Sequence, residues 1–324
     1  MRIINRPQTD PYFNIAAEEY LLKSMDTDCF MLWKNDTSII VGKHQNSMAE
    51  INHGWIHEHK VPVVRRISGG GTVFHDPGNL NYSFIATGAR DKLVDFKKYM
   101  QPIIEVLNKL GLPARYEGKN DIRVNGLKVS GNAEHVYRNR VLHHGTLLFN
   151  AKLSWLNEAI RVNEKSYQDK AVKSIRSKVA NIADLLENEI SLENFQSLII
   201  DHIQSGFPAV EFYNLTKKDI LAIEKLADEK YKTWEWNFAY SPDYEFENVG
   251  TGIFQDLKVN LRVRKGWISE FILIKSEKIH PLSDFISTLL VGKKHNFAEV
   301  DSSLHLGEPM ITHELRSQIL KLLF

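Results

Sequence analysis

The clearest hydrophobic pattern in the chain lies between Asp95 and Leu110, where apolar residues return every three or four positions. This spacing places them in one stripe along one face of an α-helix. The stripe consists of Met100, Ile103, Ile104, Leu107 and Leu110. Because Gly111 and Pro113 follow at once, and both residue types end helices, we predict an amphipathic helix over 95–110.

Weaker patterns of the same kinds predict the other elements of the first 240 residues. Asn14 is a candidate cap for a helix that continues to about Met25 and carries Glu18 and Glu19 on a solvated face. Further helices are predicted over 191–203 and 216–231. Short apolar runs predict buried strands over Phe30–Trp33, Ser38–Val41, Asn81–Ala86 and Val141–Phe149.

The composition changes near Tyr240, and a separate pattern begins there. Apolar and polar residues alternate over 257–263, Lys265-Gly266 predicts a turn, and 267–274 forms the second strand of a hairpin. Two helical patterns follow, over 282–291 and 310–323. The fold class expected is α+β: a large domain of mixed and antiparallel sheets with flanking helices over 1–241, and a small α+β domain over 242–324.

Three consecutive glycines, Gly69 to Gly71, interrupt two strand-like runs and follow Arg65, Arg66 and Ser68. Glycine offers no side chain to pack, but it lets a backbone approach a ligand and turn its N–H groups toward an anion. The neighbouring guanidinium groups suit carboxylate or phosphate. The simpler interpretation is a flexible loop between strands; the two strand-like ends favour an anion site.

A second informative stretch is centred on Asn125-Gly126, the strongest short signal for a β-hairpin. The predicted cross-strand pairs are Val124 with Leu127, Arg123 with Lys128, and Ile122 with Val129. Like charges that face each other are unfavourable unless they are solvated or paired. Arg123 and Lys128 therefore form either a solvated surface pair or a cationic face that awaits an anion, with Asp121 or Ser130 orienting it.

Other candidate residues have plain alternatives. His143 and His144 are adjacent in a predicted strand and point to opposite faces, so hydrogen-bonding roles are more plausible than a shared metal. The basic stretch 170–179 is either a solvated face or a loop that covers an anion. Cys29 has apolar neighbours and is interpreted as a core residue.

Composition narrows the function classes. The 324 residues carry a net charge of +1, with 43% hydrophobic and 25% charged residues, which is typical of a soluble globular protein without a general attraction to nucleic acid or membrane. With one cysteine no disulfide framework can form, and no apolar run approaches the length of a membrane span. We expect a cytoplasmic protein, because the N-terminus also lacks a signal peptide.

Four motifs in order resemble the lipoate–protein ligase family. They are RRISGGGTVFHD from Arg65, KNDIRVNGLKVSGNA from Lys119, LHHGTLLFN from Leu142, and SIRSKVAN from Ser174. FNIAAEE from Phe13 and WEWNF from Trp234 also match, so the resemblance covers nearly the whole chain. It implies a fold like that of biotin and lipoate ligases, with the small C-terminal domain of the two-domain bacterial type.

The resemblance implies an activity in two steps. Lipoate and ATP give lipoyl-adenylate and pyrophosphate, and the lipoyl group then passes to a lysine of an acceptor domain. The acceptors implied are E2 subunits of oxo-acid dehydrogenases or the glycine-cleavage H protein. Lipoate, ATP and magnesium are the implied small ligands, no nucleic acid or membrane partner is implied, and a monomer is expected.

The resemblance also assigns residues. Lys128 is the implied catalytic residue, and Asp121 is the implied magnesium ligand. The implied nucleotide-binding residues are Arg66, Gly69, Gly70, Gly71, Thr72, Val73, Phe74, His75, Asn79, Asn120, Asp121, Lys128, Ser130, Gly131, Ala133, His144 and Arg176. The implied lipoate-binding residues are Glu18, Arg65, Ser68, Gly70, Lys128 and His144. Residues 174–179 match a loop that folds over the adenylate.

Two other functions stay open at this point. A related octanoyl or lipoyl acyltransferase would need a cysteine nucleophile, and Cys29 lies outside every motif. A non-catalytic module that binds an acyl-nucleotide would show the same motifs. A biotin ligase is disfavoured, because its different Gly/Arg-rich motif is absent.

Overall fold

The structure is a computed structural model that describes residues 1–89, 93–160, 166–207, 209–250 and 255–324. Contacts divide the chain into two compact units. The first comprises Met1–Lys43, Val61–Glu158 and Ser174–Thr233; the second comprises His44–Lys60, Ala159–Lys173 and Trp234–Phe324. The assignment of a catalytic role to 1–241 and an accessory role to 242–324 stays a prediction.

The described residues form sixteen strands and ten α-helices. The strands are β1 (Arg2–Asn5), β2 (Cys29–Trp33), β3 (Ser38–Val41), β4 (Val63–Arg65), β5 (Val73–His75), β6 (Asn79–Thr87), β7 (Ala114–Glu117), β8 (Asp121–Val124), β9 (Leu127–Tyr137), β10 (Arg140–Leu148), β11 (Tyr167–Gln168), β12 (Glu211–Asn214), β13 (Tyr244–Val249), β14 (Leu257–Arg264), β15 (Trp267–Lys275) and β16 (Lys278–Ile279). The helices are α1 (Pro11–Ser24), α2 (Ser47–Glu50), α3 (His53–His59), α4 (Phe96–Lys109), α5 (Leu153–Ala159), α6 (Leu192–Gly206), α7 (Lys217–Leu226), α8 (Ser283–Leu290), α9 (Phe297–His305) and α10 (His313–Leu323).

The first unit contains a large mixed sheet with the strand order β12-β1-β2-β6-β10-β9-β8-β7. Strand β1 runs parallel to both of its neighbours, and the other pairs are antiparallel. A separate three-stranded sheet has the order β4-β3-β5. The predicted class of mixed and antiparallel sheets with flanking helices is confirmed.

Side chains of the large sheet alternate between two faces with different contents. One face, which we call the core face, carries Leu80, Tyr82 and Phe84 of β6 and packs on the apolar sides of α4 and α6. The opposite face, which we call the site face, carries Asn81 and Ser83 of the same strand. It holds the candidate site described below.

The strongest helix prediction is confirmed. Helix α4 covers Phe96–Lys109, and the Asp95 side chain caps it by accepting a hydrogen bond from Lys98 N at 3.1 Å. The start of the first helix was predicted wrongly. Helix α1 begins at Pro11 with Asp10 as its cap, whereas Asn14 is fully buried inside it and accepts a hydrogen bond from Arg6. Proline at the first turn and an aspartate before it are the stronger start signal.

The predicted hairpin is confirmed in part. Asn125 and Gly126 form the turn with positive φ angles of 51° and 78°, and Val124 pairs with Leu127. Ile122, however, pairs with Ser130 rather than with Val129, because a β-bulge shifts the register between Ile122 and Arg123. A bulge is a local insertion that a simple alternation of faces does not foresee.

The second unit is built on a five-stranded sheet with the order β11-β13-β14-β15-β16. Strands β14 and β15 form the predicted hairpin, with a register shift between Arg262 and Val263. Helices α8 and α10 confirm the two predicted C-terminal helices, whereas α9 was not predicted. The unit has its own apolar core, centred on Val259, Leu273 and Ile286. No helix in the described part of the chain is long and apolar enough to cross a membrane.

Candidate active site

The glycine loop, residues 66–72, joins two short strands of the small sheet. Strand β4 pairs parallel to one edge of β3 and strand β5 pairs antiparallel to its other edge, so the loop crosses from one side of β3 to the other. Gly70 has a φ of 89°, which only glycine adopts without strain. A Cβ atom on Gly70 would lie 3.9 Å from the Cβ of Ala133 on β9, so the loop approaches the large sheet there.

The Arg66 side chain holds the glycine loop through hydrogen bonds to its backbone. Its guanidinium group donates to the backbone oxygens of Gly69 at 2.6 Å and Gly71 at 2.8 Å, and to that of Ile40 at 3.0 Å. Its Nε donates to Ser68 Oγ at 3.0 Å. Burial lowers the pKa of Arg66 to about 10, which still leaves it protonated near neutral pH. The glycine loop therefore lies against the positive charge of the Arg66 guanidinium group.

Arg65 has a different setting from its neighbour. Its side chain is fully buried and donates to the backbone oxygens of Gly42 and Lys43, both at 3.1 Å. These contacts hold the chain that follows β3. Its predicted role in lipoate binding stays a prediction.

Lys128, Asp121 and Arg123 form a charged group on the hairpin of β8 and β9. Lys128 Nζ lies 2.8 Å from one carboxylate oxygen of Asp121, and Arg123 lies 2.9 Å from the other. The predicted conflict between the two cations is therefore resolved by the carboxylate between them. Two cations and one anion leave this group with a net positive charge.

The tip of Lys128 lies over Gly131. A Cβ atom on Gly131 would stand 2.9 Å from Lys128 Cε and 3.0 Å from its Nζ, closer than side chains pack. Glycine at this position therefore makes room for the ammonium group. Ala133, which the glycine loop approaches, is two residues further along the same strand, about 7 Å away. The Lys128 ammonium and the glycine loop thus lie near each other on the site face.

Asn120 and Ser130 brace the strand that carries Lys128. The Asn120 side chain donates to the backbone oxygen of Asn132, and Asn132 donates back to the oxygen of Asn120 from its backbone at 2.9 Å and its side chain at 3.0 Å. Ser130 Oγ is buried and accepts from the Asn132 side chain at 3.2 Å. These contacts fix the backbone around Gly131.

Residues 174–179, which we call the covering segment, connect the two motifs. Ser174 Oγ accepts from the Thr72 backbone N–H at 2.9 Å, at the end of the glycine loop. At the other end, Lys128 N donates to Lys178 O at 2.9 Å, and Ala180 N donates to Lys128 O at 3.1 Å. One short segment therefore touches both the glycine loop and the lysine-bearing strand. Arg176 of this segment is exposed.

His144 joins the glycine loop to helix α1. Ser68 Oγ lies 2.6 Å from His144 Nε2, and the Nδ1 atom of that ring lies 2.9 Å from both carboxylate oxygens of Glu18. Because Glu18 as a carboxylate can only accept, Nδ1 carries the hydrogen and Nε2 accepts from Ser68. The series is buried, with Glu18 1% and His144 8% exposed.

The prediction that Glu18 and Glu19 lie on a solvated face is wrong. Ser83 Oγ donates to Glu18 at 2.6 Å, and Trp33 Nε1 donates to Ser83 at 2.9 Å. Glu19 is 3% exposed and contacts Lys23 and Lys230 at 2.6 and 2.7 Å. Two adjacent carboxylates can be buried because each has its own donors.

Ser83 and Trp33 were not predicted as part of the site. A signal for Ser83 exists in β6, where the polar residues Asn79, Asn81 and Ser83 alternate with Leu80 and Tyr82. A polar row inside a strand that is buried on both faces points to a polar site. The remaining predicted residues Val73, Phe74, His75 and Asn79 lie in β5 and at the start of β6.

The described residues do not form a preassembled magnesium site. Among the described residues, no group of three or more His, Cys, Asp and Glu side chains could hold a metal ion. Asp121 gives one oxygen to Lys128 and the other to Arg123, so in this arrangement its carboxylate does not fit a metal-binding role.

Comparisons with known proteins identify the family. Residues 10–204 match the family model of the lipoyl protein ligase A/B catalytic domain. The chain is 38% identical over 312 residues to lipoate–protein ligase 1 of Staphylococcus aureus, covering 93% of this chain and 92% of that protein. It is also 38% identical over 298 residues to the lipoate-protein ligase LplJ of Bacillus subtilis, covering 90% of each. The chain belongs to the lipoate–protein ligase family, as its motifs predicted.

A solved structure supports the fold. A chain from the archaeal lipoylation system of Thermoplasma acidophilum, described as a bi-partite lipoate protein ligase and its E2 lipoyl domain, aligns with a TM-score of 0.64. The match covers 73% of this chain and 95% of that chain at 24% identity. It confirms the predicted ligase-like fold.

Proposed function

We propose that this protein is an ATP-dependent lipoate–protein ligase, which converts lipoate and ATP to lipoyl-adenylate and pyrophosphate and then transfers the lipoyl group to an acceptor lysine. Family membership supports the activity. The observation that carries the residue assignment is the covering segment, which is hydrogen-bonded both to the glycine loop and to the Lys128 strand. Both motifs therefore contribute to one site.

In the first step a carboxylate attacks a phosphate, so two anions must be brought together and aligned. Arg66 beneath the glycine loop and Lys128 above Gly131 supply the positive charge. Lysine suits this position, because a compact ammonium group can serve a carboxylate and a phosphate oxygen together. Asp121 positions the Lys128 ammonium group through an ion pair of 2.8 Å.

The second step needs protection and then a nucleophile. An acyl-adenylate is a mixed anhydride that water hydrolyses, so the covering segment has the role of excluding water. The amine of the acceptor lysine attacks the acyl carbon, and AMP leaves. In this proposal Ser68, His144 and Glu18 hold the acyl end of the substrate, which is the lipoate-binding role that the resemblance implies for them.

The finer assignments belong to the same proposal. The acceptors are lipoyl domains of E2 subunits or the glycine-cleavage H protein, and the protein acts as a monomer in the cytoplasm. A magnesium ion would arrive with the phosphates of the nucleotide, because Asp121 is already engaged by two cations.

The decisive test removes the ammonium group. We expect Lys128→Ala to lower lipoate-dependent exchange between ATP and pyrophosphate by about 10³-fold or more, because the two anions then meet without charge neutralisation. Lys225→Ala removes an exposed lysine of α7 as the control and should retain normal exchange. Near-normal exchange by Lys128→Ala would refute the role given to Lys128. Mass gain on a panel of acceptor domains, with wild-type protein, ATP and lipoate, tests the second step.

The acyltransferase alternative depends on Cys29. This thiol is fully buried, and burial raises its pKa to about 12, so it is not a thiolate at neutral pH. We expect Cys29→Ser to keep ligase activity within about twofold while it costs about 1–2 kcal/mol of unfolding free energy, because a hydroxyl enters an apolar site. Loss of acyl transfer in a folded Cys29→Ser protein would favour the acyltransferase.

A further inference from the structure

Asn81 lies in the middle of the site face, in a row that leads to Lys128. On β6 it stands opposite Thr146 of β10 on one side and opposite Trp33 of β2 on the other. The Thr146 hydroxyl in turn accepts from the Gly131 backbone N–H at 3.3 Å. Gly131 is the residue over which the Lys128 ammonium lies. Two strand spacings, or about 10 Å, therefore separate Asn81 from that position.

The side chains of Asn79 and Asn81 form a pair that is not fully bonded. Asn79 donates to Asn81 Oδ1 at 2.9 Å. The Asn81 Nδ2 group and the Asn79 Oδ1 atom have no partner among the described residues, although the two side chains are only 1% and 0% exposed. Exchanging the oxygen and nitrogen positions in both amides would move the unpaired N–H₂ group to Asn79 and the unpaired oxygen to Asn81, so the pair offers one free donor and one free acceptor in either arrangement.

His75 contributes a second unpaired donor. Asn35 directs its Nδ2 group to His75 Nδ1 at 3.0 Å, since its own oxygen accepts from Asn14 at 2.9 Å. His75 Nδ1 is therefore an acceptor, and the ring hydrogen is on Nε2. That Nε2 has no partner in the part of the chain that the structure describes. The ring lies 5.9 Å from that of Trp33, the strand neighbour of Asn81.

The neighbouring buried polar groups on this face are paired. Trp33 Nε1, Ser83 and His144 all have partners at 2.6–2.9 Å. A protein normally pairs its buried donors, so donors left unpaired beside a completed network can bind a partner from outside the chain. Two neutral N–H groups can bind an oxyanion without adding to the positive charge of Arg66 and Lys128.

We infer that Asn81 is a further substrate-binding residue, whose Nδ2–H donates to a phosphate or carboxylate oxygen of the bound ligand beside the Nε2–H of His75. The inference rests on the proposed function, which supplies ligands that carry such oxygens. None of the four motifs includes Asn81. The unpaired Oδ1 of Asn79 accepts from a hydroxyl group or water at the edge of the same ligand.

The test measures binding of three probes by calorimetry: ATP, lipoate, and a hydrolysis-resistant sulfamate analogue of lipoyl-adenylate. Asn81→Asp keeps the shape and the acceptor for Asn79 but replaces the donor by a negative oxygen. We expect it to raise the Kd of the analogue about tenfold or more, and Asn81→Ala to raise it about threefold to tenfold. If the Asn81 substitutions weaken binding of the analogue and of ATP but not of lipoate, the bound oxygen belongs to a phosphate. If they weaken binding of the analogue and of lipoate but not of ATP, it belongs to the carboxylate.

Asn260→Asp is the matched control, because Asn260 Oδ1 is also buried and unpaired but belongs to the sheet of the second unit. It should leave all three Kd values unchanged. The thermal midpoint of the ligand-free protein reports packing separately from binding: Asn81→Ala removes the acceptor of the buried Asn79 amide, so we expect its midpoint to fall by a few degrees, and the Kd is measured well below that midpoint. If Asn81→Asp does not fold, the Asn81→Ala result decides.

Several results would overturn the inference. Equal Kd values for wild type and both Asn81 variants would show that a buried water, rather than substrate, satisfies the amide. A lowered midpoint with unchanged Kd would make Asn81 a packing residue. Either outcome leaves the proposed ligase activity standing, because wild-type binding is measured in the same series. Failure of the wild-type protein to bind any probe would overturn both.

Discussion

Two adjacent histidines of β10 place the same chemical pair on opposite faces of one sheet. On the site face His144 lies 2.9 Å from Glu18, and on the core face His143 lies 2.8 Å from Glu134. Both pairs are almost completely shielded from solvent. Neither burial nor hydrogen-bond pairing therefore distinguishes the two Glu–His pairs.

The difference lies in what each pair is connected to. The Glu18–His144 pair continues through Ser68 to Arg66 and the glycine loop. The Glu134–His143 pair is not extended by further side-chain hydrogen bonds, because His143 Nε2 and Glu134 Oε2 have no partner among the described residues. Aromatic rings surround it instead, at centroid distances of 5.3–5.9 Å from His143; they belong to Tyr82, Phe96 and Tyr99.

We therefore expect a hydrogen-bond network that reaches the glycine loop to indicate a functional pair more clearly than burial does. Changes on the site face should therefore lower activity more than stability. Changes on the core face should do the reverse. Three predictions test this contrast.

The largest contrast is expected from two glycines on neighbouring strands. In Gly131→Ala the new Cβ displaces the Lys128 tip, and we expect activity to fall about 100-fold with little change in stability. In Gly145→Ala the new Cβ would overlap Asn132 Oδ1 and the Tyr82 ring in the core, which should cost more than about 3 kcal/mol. Exchange assays and denaturant unfolding measure the two effects. Gly206→Ala at the end of α6, where a Cβ atom would meet nothing within 4 Å, is the control.

The histidines themselves should give a smaller but matched contrast. His144→Ala leaves Ser68 without its acceptor, and we expect a 10-fold to 100-fold loss of activity, about the cost of a misplaced binding group. His143→Ala leaves a cavity in the core and should cost about 2–3 kcal/mol while activity at 25 °C stays within about threefold. Equal activity losses in the two folded variants would end the distinction between the faces.

The smallest effect concerns pH. Burial raises the pKa of Glu134 to about 7, so in the folded protein the carboxyl group stays protonated up to that pH, whereas in the unfolded chain it ionises near 4.5. Folding therefore retains a proton in this range, and the free energy of unfolding contributed by Glu134 falls as pH rises from about 4.5 to 7, by on the order of 3 kcal/mol.

Glu134→Gln should remove this slope. Burial also lowers the pKa of His143 from 6.5 to about 3, which gives a slope of opposite sign between about pH 3 and 6.5 and therefore overlaps the Glu134 range. The difference between wild type and variant isolates the Glu134 contribution. Denaturant unfolding at pH 5 and pH 8 measures it; parallel curves for the two proteins would contradict the raised pKa.

Local sequence signals predicted much of the fold correctly. The stripe of α4 and its cap Asp95, the turn at Asn125-Gly126 and the C-terminal hairpin are all present. Each depends on residues that are close along the chain, so propensity and periodicity are sufficient. The start of α1 was wrong for a related reason, because the stronger local signal at Asp10 and Pro11 was passed over.

The site was predicted less completely. The motifs located the glycine loop, Lys128 and His144, and the structure brings the first two together under the covering segment. The burial of Glu18 and the contribution of Ser83 depend on partners 50 to 126 residues away along the chain, and the unpaired amide of Asn81 depends on which strands flank β6. A bulge beside Arg123 also changed which residues face each other.

The sequence alone therefore determined the family, the main helices and hairpins, and the glycine loop with the arginine and lysine residues proposed to act beside it. Tertiary structure alone decided which of two adjacent histidines reaches the glycine loop and which buried donors lack a partner. The physical reason is range: helix periodicity and turn geometry act over a few residues, whereas hydrogen-bond pairing inside a protein depends on which distant strands become neighbours.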